Sequence, residues 1–141
     1  MNMSFKSEIK LSEVCDKLIS CLGSYSNRLN EKPQKDKKTY ASQHYSFLCD
    51  MVAVSHQLDT FIFNVTAELN NAESENDGAK IKNFTSLFDQ GILLKNTVEE
   101  FFAASEKILK EEESLTELKK ITEITLRKII NIKDCQSKPI C

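Results

Sequence analysis

The chain has no tryptophan, three glycines and two prolines, too few turn formers for a β-sandwich or barrel with a turn every few residues. It also lacks a membrane span. Its most apolar stretch, from Tyr40 to Asn70, is interrupted by Asp50, His56, Gln57 and Asp59 before it reaches the ~20 apolar residues a bilayer requires. Charge of one sign is missing too. Nineteen basic and twenty-one acidic side chains leave a formal charge of −2, which offers no field for nucleic acid and no polyanion mimicry.

The usual catalytic and metal signatures are absent as well. There is no Gly-rich phosphate loop, nucleophile elbow or HExxH, and no Cys-x-x-Cys or His-x-x-x-His. A di-iron bundle needs Glu three residues before an inward His, but Ala41 and Ala53 stand there before His44 and His56. Haem ligation by His44 and Met51, two turns apart, is less economical than a rim histidine beside a core methionine. Histidine phosphotransfer bundles carry His-x-Leu-Lys-Gly. The run His56-Gln57-Leu58-Asp59-Thr60 keeps only the His and the Leu, with an acid in place of the lysine that would steady phosphate. Neither arginine, Arg28 or Arg127, has a histidine nearby in sequence for a nuclease-type pair. The expectation is a non-enzymatic protein with no cofactor and no metal.

Five cysteines at open spacings, with no apolar signal run near the start, read as reduced thiols in a cytoplasmic protein. Cys135 and Cys141, on a polar tail closed by Pro139, are the pair open to oxidation. Met1-Asn2 does not fit myristoylation, and a terminal Cys141 does not fit a prenylation box.

What is present is helical periodicity. A length of 141 residues suits one domain that buries about two-thirds of its unfolded surface. Four amphipathic segments predict an all-α, antiparallel up-down-up-down four-helix bundle over about 7–30, 40–70, 80–111 and 115–133, with a flexible tail over 134–141. In the first segment, Leu11, Cys15, Leu18, Leu22, Tyr25 and Leu29 step by four and three along one seam, widened by Val14 and Ile19. Gly23 and Gly91 each sit where a missing side chain would admit a neighbouring helix. Glu13 and Lys17 are spaced as an i, i+4 pair. Thr39 reads as the N-cap of the second helix, and 70–78 as a mobile polar loop. The third seam is Phe84, Leu87, Gly91, Leu94, Val98, Phe101, Ser105 and Ile108, and the fourth is Leu115, Leu118, Ile121, Leu126, Ile129 and Ile132. The boundary between them has neither Gly nor Pro. Ser114 and Glu117 form a capping box that puts a turn near 112–114, the alternative being one helix running through it with the break at Gly91 instead.

The second segment carries the apolar surplus. Its inward face is His44, Phe47, Leu48, Met51, Val54, Leu58, Phe61, Ile62, Val65 and Leu69. A further stripe of Tyr45, Cys49, Val52, His56 and Phe63 exceeds what one bundle seam consumes, as do Leu93, Ile124 and Ile130 elsewhere. Either another part of the chain covers these groups, such as residues 1–6, or they form a partner site. The second reading makes Tyr45, Cys49, Val52, His56 and Phe63 partner-binding residues for another protein or a second copy of the chain, a homodimer. Two other uses fit the same segments: a phosphoacceptor or sensor role for His56, and capture of an apolar ligand between the second and third helices near Gly91. Lys32, Lys35, Lys37 and Lys38 are the one basic cluster and read as a solvated turn.

Overall fold

The computed structural model describes residues 10–30, 37–110 and 115–136. These form four α-helices: α1 (Leu11–Asn30), α2 (Lys37–Glu75), α3 (Gly78–Lys110) and α4 (Leu115–Gln136). Helix α1 packs on α2 and α4, and α3 packs on α2 and α4, so the four close into a ring around one core. Chain-adjacent helices run in opposite directions. This is the up-down-up-down bundle that the periodicity predicts. Helices α3 and α4 pack side by side, while the boundary expected at 112–114 lies outside the described residues. The Ser114 cap itself lies outside the described residues.

Most seam positions read from the sequence lie in the core, while Leu48, Ile62, Leu69, Phe84, Leu87, Ile121 and Leu126 are partly buried. Leu11, Val14, Cys15, Leu18, Leu22, Tyr25 and Leu29 of α1 are all buried. From α2 come Phe47, Met51, Val54, Leu58, Phe61 and Val65, and from α3 Leu94, Val98, Phe101 and Ile108. Leu118, Ile129 and Ile132 complete it from α4. Four hydroxyl side chains, Thr97, Ser105, Thr122 and Thr125, are buried with them. Three of these return their O–H to a carbonyl of the preceding turn: Thr122 to Leu118 at 2.7 Å, Thr97 to Leu93 at 2.9 Å and Ser105 to Phe102 at 3.1 Å. A buried threonine satisfied in this way presents its methyl to the core.

The helix ends differ from expectation in four places. At α1, Lys10 is the N-cap: the Glu13 carboxylate reaches back to the Lys10 amide, at 3.5 Å, while the Lys10 carbonyl accepts from Glu13 and Val14. Glu13 thus serves the helix start, and Lys17 donates instead to Gln57 of α2 at 2.9 Å, so the predicted Glu13–Lys17 pair is superseded. At α2 the helix begins at Lys37, which leaves Thr39 inside the first turn rather than capping it. At α4 the helix runs to Gln136, past the predicted start of the tail.

The largest difference is the α2–α3 connection. Residues 70–75 are helical, and the loop reduces to Asn76 and Asp77. Asn76 adopts φ 57°, the left-handed conformation that asparagine tolerates better than most side chains. The Asp77 amide then donates to Ala72 O at 3.0 Å, and the Asn76 amide to Glu73 O at 3.1 Å, a Schellman closure. Asp77 immediately caps the next helix, its Oδ1 accepting from the Lys80 amide at 3.2 Å. One aspartate ends α2 and starts α3.

This tight reversal lets α2 and α3 reach about 58 and 50 Å, against about 30 and 33 Å for α1 and α4. Lys17 lies beside Gln57 and Tyr25 beside His44, so α1 begins level with roughly residue 63 of α2. Beyond that level, among the described residues, α2 and α3 form a two-helix extension, where Val65 and Ala72 are buried and Phe84, Leu87 and Phe88 partly so. Gly91 sits at its base. A Cβ there would stand 3.2 Å from Ile62 Cγ1 and 3.3 Å from the Phe61 ring, so the glycine is what allows the close approach of α2. Gly23 meets nothing within 4 Å and does not mark a helix contact.

Candidate functional site

Helix α2 has two apolar faces with opposite fates. The inner face lies in the core. The outer stripe is Tyr45, Cys49, Val52, His56 and Phe63, whose steps of four, three, four and seven residues hold them within an arc of about 60° along roughly 27 Å of helix. All five are solvent-exposed, Tyr45 at 71 %, Phe63 at 73 % and Val52 at 45 %. The bundle is therefore complete without them, among the described residues. Residues 1–6, the segment that could cover them, lie outside that set.

The electrostatics leave the stripe neutral. No lysine or arginine occurs between Lys38 and Lys80. Between Tyr45 and Phe63 the acids are Asp50 and Asp59. Asp59 borders the stripe and is held by Lys95 of α3 at 3.1 Å. Asp50 lies toward α1, where it adds to burial in pushing the Cys21 thiol up from its ordinary value. Cys49 is a free thiol on the stripe itself.

On the inner face, His44 corrects the expectation of a rim histidine: it is only 4 % exposed. Its Nδ1 lies 2.6 Å from the Tyr25 hydroxyl. Burial lowers the His44 pKa and raises that of Tyr25, so the neutral pair is favoured and Tyr25 donates to Nδ1. The His44 Nε2 group has no hydrogen-bond partner among the described residues. Tyr25 also stacks on Phe47, ring centres 4.0 Å apart and 4° from parallel, and Phe101 meets Phe47 edge-on at 5.7 Å. This cluster locks α1, α2 and α3 together at one end of the bundle. Its histidine and Met51 are both buried in the core.

A second concave surface runs between α3 and α4. A groove of about 670 Å³ is lined by Leu93, Thr97, Glu100, Lys128, Ile132 and Cys135, among others, with Lys128 and Glu100 paired at 3.9 Å. A smaller hollow of about 140 Å³ continues along it past Phe101, Ile121 and Ile124. Exposed Leu93 and Ile124 thus border this groove, away from the α2 stripe. Beside Gly91, Phe61 and Ile62 stand 3.3 and 3.2 Å from where a Cβ would lie. Cys135, one of the two cysteines expected to be open to oxidation, is disulfide-bonded, while Cys21 and Cys49 are free thiols. No group of three or more metal-type side chains gathers among the described residues, and none of the described helices is long and apolar enough to cross a membrane.

No family model, curated protein or solved structure matches this chain.

Proposed function

We propose that the chain is a non-enzymatic docking module that engages another protein, or itself, through the outer face of α2. The observation that carries this is the exposure of Tyr45, Cys49, Val52, His56 and Phe63 on a bundle whose core is already closed without them. Large aromatics suit the centre of an interface, where they are over-represented, while lysine and the acids are depleted. Leaving two such rings in water has a cost in solubility that a partner site offsets. The free thiols Cys21 and Cys49 suit the cytoplasm; the disulfide at Cys135 is the observation against that compartment.

The test is site-specific photo-crosslinking in the cells that make the protein. A photoreactive residue at position 56 or 52 is expected to yield protein adducts, while one at exposed Lys120 on α4 yields none. Absence of adducts from both stripe positions contradicts the reading. The α3–α4 groove supports a second reading, capture of a small apolar molecule, because its volume falls in the range of ligand sites. Native mass spectrometry of freshly purified protein tests it, and a bare chain mass argues against it.

A further inference from the structure

The stripe on α2 has an internal symmetry. Positions 45 and 63 are centred on 54, and so are positions 52 and 56. Each outer position carries an aromatic ring, Tyr45 and Phe63, and each inner position a mid-sized group, Val52 and His56. A two-fold interface requires that where residue i touches j, j also touches i. These four positions meet the requirement when two copies of α2 cross antiparallel at the level of Val54, and Cys49 of each copy then faces Asp59 of the other.

We infer that the partner of this face is a second copy of the chain, docked α2 against α2 in antiparallel register. The inference rests on the docking reading above and specifies its occupant. In this register Tyr45 of each copy lies against Phe63 of the other, and Val52 against His56. The interface then contains four aromatic rings, stacked in two symmetric pairs.

Charge favours the same arrangement. The first turn of α2 holds no acid and begins with Lys37 and Lys38, while its last turn holds no base and ends in Glu73 and Glu75. Both ends oppose the helix dipole, which prefers acids at the start and bases at the end. The antiparallel register brings positions 37 and 38 of one copy level with 71 and 70 of the other, so the basic start of one α2 lies beside the acidic end of its partner. A parallel register would set lysines against lysines and acids against acids. Asp59, the acid bordering the stripe, is held by Lys95 of its own chain, so no unpaired charge is trapped.

A stripe of about 27 Å by ~10 Å is small beside the ~800 Å² per partner of a standard interface. The dimer is therefore in the weak, concentration-dependent class. Light scattering across a concentration series up to about 1 mM should show the mass rising from 16.1 kDa toward twice that value. Tyr45→Lys and Phe63→Asp change exposed positions and should leave the unfolding midpoint in place. Each substitution strikes the symmetric interface twice, so each should weaken association about a hundredfold or more. The double variant Tyr45→Lys/Phe63→Asp sets the introduced ammonium of each copy against the introduced carboxylate of the other in the antiparallel register, and should associate again. In a Cys49→Ser background, a mixture of Val52→Cys and His56→Cys chains should form the mixed disulfide in preference to either self-pair.

A chain that stays at 16.1 kDa throughout overturns the inference. So does a double variant that stays monomeric while the parent associates, or a preference for Val52→Cys self-pairs. Crosslinks from position 56 to a different protein, together with a monomeric mass, would leave the docking reading standing and remove only the second copy. Absence of any adduct from the stripe removes both.

Discussion

Helix α2 presents the same chemistry to two different environments. Its inner face places Phe47, Met51, Leu58 and Phe61 in the core against α1 and α3, and its outer face places Tyr45, Val52 and Phe63 in water. The two sets interleave in sequence, Tyr45 two residues before Phe47 and Phe63 two after Phe61. Composition cannot separate them. What separates them is the 100° step of the helix and the position of the neighbours, α1 and α3, on one side only. Apolar character is thus necessary for the core and insufficient to assign a residue to it. Among the described residues, the fold leaves the outer set uncovered.

The contrast can be broken most strongly from the inside. Leu58→Ala empties a fully buried site and should cost about 2–5 kcal/mol in urea unfolding. A loss below about 1 kcal/mol would mean the inner face is not the organising core.

Next in size is the Tyr25–His44 pair. Tyr25→Phe leaves His44 Nδ1 buried without its donor and should cost about 1–3 kcal/mol. The pH dependence follows from the directions of the two shifts. The His44 pKa is lower in the folded chain than in the unfolded one, so below about pH 6.5 the unfolded chain binds the extra proton first. Stability should therefore be full above that pH and fall as the solution is acidified through it. Tyr25 is shifted the other way, upward by burial, so stability should fall as pH rises above about 10, where the unfolded tyrosine ionises and the folded one does not. Replacing His44 with Gln should flatten the acid limb, and an unchanged limb would contradict the assignment.

Smaller effects sharpen the helix ends. Asp77→Ala removes the cap of α3 and should cost about 1 kcal/mol. Gly23→Ala adds a methyl into open space and should stabilise by up to about 1 kcal/mol. The same change at Gly91 adds it against Ile62 and Phe61, so it should stabilise less or destabilise. Equal effects at the two glycines would argue that Gly91 is not a close contact.

Much of this architecture is legible in the residue pattern, and the reason is periodicity. The Leu11-to-Leu29 seam and the Leu94-to-Ile108 seam each repeat at three and four residues, and each is buried as that repeat requires. The illegible parts depend on contacts between segments or on backbone geometry. Polar residues 70–75 resemble a loop, yet Ala72 finds a packing site and Asn76 closes the helix only because it enters the left-handed region. Thr122 and Thr125 look like surface groups, and one of them hides its hydroxyl in a back-bond to Leu118. The partnership of His44 with Tyr25 joins two seams separately visible in sequence, but no local spacing reveals that they meet. For the candidate site, the stripe and its members are legible in the sequence, and their exposure depends on which side of α2 the other helices occupy.

The most direct test is the equilibrium unfolding of a Tyr45→Ser/Phe63→Ser chain, measured at high dilution alongside the parent. An outer stripe that folding does not use predicts a stability within about 0.5 kcal/mol per substitution of the parent, with crosslinking from position 56 lost. A drop of the size expected for Leu58→Ala would contradict the account, because it would mean that the rings are covered within a single chain and serve the fold after all.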